Sequence, residues 1–108
     1  MKRGEIWTVS GGPHYAGKPR PAVILQSDRF DATDSVTVCP LTTDAIDLPL
    51  FRIPVTPSPA NGLRSASRIM ADKVTTVRRA KLGKLLGRLT ETELISLDRA
   101  VLVFLGLV

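Results

Sequence analysis

Apolar and polar residues change rhythm several times along this chain, and each rhythm predicts an element. From Glu5 to Ser10 the alternation puts Trp7 and Val9 on one face of a strand and Ile6 on the other. Ala22 to Leu25 is apolar at every position, the pattern of a strand buried on both faces, so a second strand is expected over Arg20–Gln26. Ser10 to Pro19, between them, is a long Gly- and Pro-rich loop holding the chain's only His and Tyr, His14 and Tyr15. Loops this long between strands tend to carry function. Asp28, Asp31 and Asp34 break the chain over Ser27–Ser35. A third strand follows over Val36–Leu41. Pro40 inside it argues for an edge position or a bulge, because proline donates nothing to a ladder. A fourth strand is expected over Leu50–Val55, with Arg52 pointing away from Phe51 and Ile53.

Thr56 to Gly62 is a turn by composition, with Asn61-Gly62 its strongest signal. Ser67–Ala71 reads as a short fifth strand, Asp72 as its interruption and Lys73–Val77 as a sixth. Arg78–Leu82 is a basic single turn, and Leu85–Leu89 fits a last strand or a short helix, with the strand preferred. The period then changes from two to 3.6. Thr90 and Glu93 form a capping box that starts a helix over Glu91–Phe104. Leu94, Leu97, Val101, Phe104 and Val108 recur at three and four residues as one apolar face, with Asp98 and Arg99 on the polar side. Some six short strands and one terminal helix suggest a mainly β fold with a C-terminal helix, a small barrel-like sheet closed by that helix.

Composition narrows the picture. A chain of 108 residues suits a single domain over 1–108 with one core. Its one cysteine, Cys39, permits no internal disulfide and reads as a buried core residue. One His and one Cys cannot build the usual Cys/His zinc site, and no cofactor is expected. No apolar run reaches the length of a membrane span, and no apolar signal segment follows Met1-Lys2-Arg3-Gly4-Glu5, so a cytoplasmic protein is expected. Fifteen Lys and Arg against ten Asp and Glu leave a net charge of +5, which favours an anionic partner such as nucleic acid or an acidic protein segment.

The strongest chemical candidate lies where loop becomes strand. Pro19 and Pro21 fix their own φ and push Lys18 and Arg20 toward extended geometry, so Arg20 projects from a stiff base. A stiff guanidinium suits phosphate binding without reorganisation, and the plainer reading of the same residue is a surface arginine at a strand start.

The order Arg3-Gly4-Glu5-Ile6-Trp7, Lys18-Pro19-Arg20-Pro21-Ala22-Val23-Ile24, Pro40-Leu41-Thr42-Thr43, Gly62-Leu63 and Asp72-Lys73-Val74-Thr75-Thr76-Val77 resembles the MazF/PemK (Kid) family of toxin ribonucleases. The resemblance covers nearly the whole chain. It implies an SH3-like barrel of the CcdB/PemK type, a homodimer, and cleavage of single-stranded RNA without a metal. It also implies neutralisation by a cognate antitoxin, through which alone operator DNA is bound. Carried over by position, it assigns catalysis to Arg20, Thr42, His14 and Asp72. Thr43 is a neighbour that can substitute for Thr42. His14 holds the family spacing of six residues before the Arg-Pro arginine. The chain departs from the family at Met70, where some members have arginine, and at Lys73, where glutamine is usual. Arg68 lies on the same strand face as Met70 and is a candidate replacement. Lys18, Thr43, Arg68, Lys73, Arg78 and Arg79 complete the expected RNA contacts. Other readings stay open for several of these: His14 as a solvated loop residue, Asp72 as a turn former and the threonines as strand-end caps, while the basic cluster of Arg78, Arg79, Lys81 and Lys84 reads equally as an RNA guide or a solvated face. At the level of function the alternatives are a gyrase-poisoning toxin resembling CcdB and a silent RNA- or antitoxin-binding module. The first is disfavoured because such proteins carry a Trp near the C-terminus, whereas this chain ends Phe104-Leu105-Gly106-Leu107-Val108 and its only Trp is Trp7.

Overall fold

The computed structural model describes residues 1–11 and 18–108. The strands are β1 (Glu5–Val9), β2 (Arg20–Ile24), β3 (Ser35–Thr42), β4 (Arg52–Val55), β5 (Ser67–Met70), β6 (Thr75–Arg78) and β7 (Leu82–Arg88), followed by one helix, α1 (Glu91–Phe104). Single 3-10 turns lie at Asp28–Phe30, Ala71–Lys73 and Arg79–Lys81. All pairings are antiparallel. The sheet runs β4-β5-β3-β2-β1-β7, with β6 added to β3.

Two cores follow from the alternation. Ile6, Val23, Cys39, Leu41, Val55 and Ile69 pack with Leu97 and Ala100 of α1. Val9, Ala22, Ile24, Val36 and Val38 form the second core, with Trp7, Val77 and Leu82 against it. The apolar stretch Ala22–Ile24 of β2 supplies both, as a segment buried on both faces must. Leu94 and Val101 of α1 also face the sheet, and Ala100 completes a buried stripe that the larger apolar residues did not mark. Phe104 stays 47% exposed, although its ring lies 5.5 Å from that of Phe51. Val108 lies beyond the helix and is 78% exposed, so the apolar face ends earlier than its spacing suggests. The capping box forms: the Thr90 hydroxyl accepts from the Glu93 N–H at 3.1 Å, and Glu93 accepts from the Thr90 N–H at 2.8 Å.

Pro40 corrects the edge or bulge expectation, because β3 is central and its register is continuous. Thr37 bonds toward β2, donating to Gln26 Oε1 and accepting from the Leu25 N–H. By alternation the backbone nitrogen of Pro40 faces the other way. There it falls between the stretch paired with β6, residues 35–38, and the stretch paired with β5, residues 41–42. Pro21, by the same reasoning, turns its nitrogen toward β3 and has no hydrogen to offer. The β2–β3 ladder accordingly stops at Ala22↔Pro40. The other shifts are of boundaries: β2 ends at Ile24, β4 starts at Arg52, β6 starts at Thr75, and β7 starts at Leu82.

Among the described residues the sheet does not close by strand pairing. It closes against the turn after β4, where the Arg88 N–H donates to the Ala60 carbonyl at 3.0 Å. A Cβ on Gly87 would lie 2.2 Å from that carbonyl oxygen, and one on Gly62 would lie 2.1 Å from the Leu86 oxygen. Gly62 also has φ +68°. Only glycine lets the two backbones meet this closely. No helix among the described residues is long and apolar enough to cross a membrane.

Candidate active site

Past the last β2–β3 pair the two strands part. Carried two residues on, their register sets Arg20 opposite Thr42. The opening is a cavity of about 440 Å³ lined by Arg20, Pro21, Thr42, Thr43, Asp44, Ser67 and Met70, with Leu41 behind. The proline-locked arginine and the threonine that the resemblance assigned therefore share one site. Among the described residues, no hydrogen bond or ion pair engages the Arg20 guanidinium. The Thr42 hydroxyl oxygen accepts from the Asp44 N–H at 3.1 Å, which leaves its proton available to donate. Asp44 in turn accepts from the Ile46 N–H at 3.2 Å.

Two further concavities flank this one. A cavity of about 320 Å³ shares Arg20 and Pro21 and extends to Arg78 and Lys81. Another, of about 390 Å³, shares Pro21, Thr43 and Ser67 and extends to Arg64 and Lys84. Together they form a groove whose described lining has five cations, Arg20, Arg64, Arg78, Lys81 and Lys84, and one carboxylate, Asp44. A concave basic track of this kind suits the backbone of a single-stranded nucleic acid.

The remaining candidates are placed differently. His14 lies outside the described residues. Asp72 sits in the 3-10 turn after β5 and does not line the groove. Its carboxylate takes two hydrogen bonds from Arg52, at 2.8 and 3.0 Å, and the two side chains are only 15% and 10% exposed. The Arg52 hydrogen bonds hold the Asp72 carboxyl below the usual carboxylate range, against the opposing effect of burial. Arg68 stands opposite Thr42, but its guanidinium donates to the Ile46 carbonyl at 2.6 Å and pairs with Asp47 at 3.6 Å. Arg79 donates to the Thr33 carbonyl at 3.0 Å through Nε, and also to the Asp31 carbonyl. Lys18 and Lys73 are exposed and lie off the three concavities. Cys39 is fully buried, and burial, with the nearby Asp72 charge adding, pushes its thiol up to about 12. That fits a core residue and not a nucleophile.

Lys81 and Lys84 stood in the sequence only as part of the basic cluster at residues 78–84, and both line the groove. Asp44, Ser67 and Arg64 also belong to it, and nothing local in the sequence marks them. Lys84 reaches Pro21 only because β7 pairs back onto β1, and Arg64 only because the turn after β4 folds against β7.

Residues 2–105 match the family model for the PemK-like, MazF-like toxin of type II toxin–antitoxin systems. A probable endoribonuclease MazF of Mycolicibacterium smegmatis is 55% identical over 107 residues, covering 99% of this chain and 98% of that protein. An endoribonuclease MazF9 of Mycobacterium tuberculosis is 30% identical over 116 residues, covering 99% and 98%. Among solved structures, a mycobacterial endoribonuclease in complex with its cognate antitoxin superposes with a TM-score of 0.81 at 25% identity, over 100% of this chain and 97% of that one.

Proposed function

The chain belongs to the PemK-like, MazF-like toxin family of type II toxin–antitoxin systems, and from that premise we propose that its groove binds and cleaves single-stranded RNA. The substrate's 2′-oxygen attacks the adjacent phosphorus as its proton is removed. The bond from phosphorus to the 5′-oxygen breaks as that oxygen gains a proton. The products are a 2′,3′-cyclic phosphate and a 5′-hydroxyl, and no metal takes part. Arg20 spans the non-bridging oxygens, where charge grows in the transition state. Thr42 donates its free hydroxyl proton to the same phosphate. His14, whose ordinary pKa lies near neutrality, is assigned to proton transfer. Asp72, already paired with Arg52, is assigned to holding the end of β5 in place of the catalytic role that the resemblance implied. Cellular RNA is cut in the cytoplasm, which inhibits translation and growth. The partners are a second copy of the chain and a cognate antitoxin, the kind of partner seen with the mycobacterial relative.

The observation that carries this reading is the cavity shared by Arg20 and Thr42 at the centre of a basic groove. The test is cleavage of mixed-sequence single-stranded RNA in EDTA by wild type and Arg20→Ala, with product ends mapped. Cleavage to cyclic phosphate ends that survives EDTA and drops about 10²–10³-fold in the variant is expected. Equal cleavage by both proteins, or loss of cleavage in EDTA, would overturn it.

A further inference from the structure

We propose that the cavity between β7 and the segment after the β4 turn is a base-binding subsite. It would receive the nucleobase next to the phosphate held at Arg20, and would prefer guanine and uracil, which place a carbonyl oxygen (O6 or O4) where adenine and cytosine carry an amino group. The proposal rests on the ribonuclease reading above and deepens it. The cavity is continuous with the reaction site, since Pro21, Thr43 and Ser67 line both. A strand whose phosphate sits at Arg20 therefore has its neighbouring nucleotide at this opening. The volume of about 390 Å³ falls near the lower end of the ~300–1,000 Å³ typical of small-ligand sites.

The walls are preformed. Leu63 and Leu86 pack against the main core, and the close backbone contact at Gly62 and Leu86 fixes their separation. Apolar walls of this kind cover the faces of a base. Edge recognition falls to the polar groups at the rim. Arg64 and Lys84 are donors without acceptors. The Thr8 hydroxyl already accepts from the Lys84 N–H at 2.8 Å. The described lining contains no carboxylate to receive an exocyclic amino group. Guanine, with O6 and N7, and uracil, with its two carbonyls, offer what these donors need. Adenine and cytosine put an amino group on the edge where those bases place a carbonyl.

The test is a set of RNA oligonucleotides differing at one position on either side of the cleaved bond: guanine, uracil, adenine, cytosine or abasic. At one flanking position the wild-type protein is expected to cut the abasic substrate at least about tenfold more slowly than the guanine or uracil substrate, with adenine and cytosine between. Ser65→Trp, a change at an exposed residue that fills the cavity, is expected to reduce all of them to the abasic rate. A thermal melt confirms that this variant is folded, and the substrate series stands without it. Equal rates at both flanking positions, a preference for adenine or cytosine, or an unchanged preference in folded Ser65→Trp would each overturn the subsite while leaving the ribonuclease reading in place. Cleavage by Arg20→Ala equal to wild type would overturn that reading and the subsite with it.

Discussion

Arg52 and Asp72 form the one ion pair among the described residues in which both side chains are nearly buried. Removing one partner strands the other in a poorly solvated place, so Arg52→Ala is expected to cost about 3 kcal/mol in urea denaturation. The pair also sets a pH limb. The folded-state pKa of Asp72 is depressed, so its contribution is full above the ordinary value of about 3.9 and is lost as pH falls through the lower folded value. Stability measured against Asp72→Asn should therefore show a difference at neutral pH that shrinks in acid below about pH 4. A difference independent of pH would mean that the carboxylate charge is not what matters. At this scale the sequence was partly legible. Arg20 announced itself through its flanking prolines and Cys39 through its apolar neighbours, whereas Thr42 was marked only by the family resemblance. The partner of Asp72 did not, because the two residues are separated by 20 positions and meet only through β4–β5 pairing. The same pairing sets Arg52 opposite Met70, so the arginine near Asp72 comes from the adjacent strand and not from Arg68.

Element boundaries depend on what a segment meets as well as on its own pattern. The helix was readable from Thr90 and Glu93 because a capping box is local chemistry. Thr90→Ala is expected to lose about 1 kcal/mol by thermal denaturation, with no change in groove geometry. Pro40 was misleading for the opposite reason. A proline is tolerated in a central strand wherever its nitrogen faces a gap between partners, and that gap exists only once β5 and β6 are placed. Gly87 was silent in the sequence for the same kind of reason. A methyl group there would lie 2.2 Å from the Ala60 oxygen and 2.6 Å from the Asn61 carbonyl carbon, both backbone atoms that cannot rotate away. Gly87→Ala is therefore expected to force apart the contact that closes the sheet, lowering the melting temperature far more than alanine at exposed Gly83. There the nearest atom is the Thr8 hydroxyl. Equal melting of the two variants would show that the turn after β4 does not brace β7.

For the whole molecule, charge placement decides more than net charge. The +5 balance pointed to an anionic partner but not to where it binds. The fold holds some of the basic residues on protein groups and leaves others along the groove. Arg68 and Arg79 belong to the first set, through the Ile46 and Thr33 carbonyls, while Arg64, Arg78 and Lys84 line the concavities. Salt dependence separates the two sets. Each phosphate contact on a single strand contributes a slope of about −0.7 to log K against log salt, through release of condensed counterions. Binding of an RNA with a 2′-deoxy nucleotide at the cleavage position, which blocks attack, would be titrated over a range of salt concentrations. Arg64→Ala and Lys84→Ala should each flatten the slope by about 0.7. Arg79→Ala should leave the slope unchanged, because its guanidinium is already spent on the 31–33 backbone. If Arg79→Ala flattened the slope while Lys84→Ala did not, the RNA track would run along the β6–β7 corner, and the groove through Arg20 would not be its path.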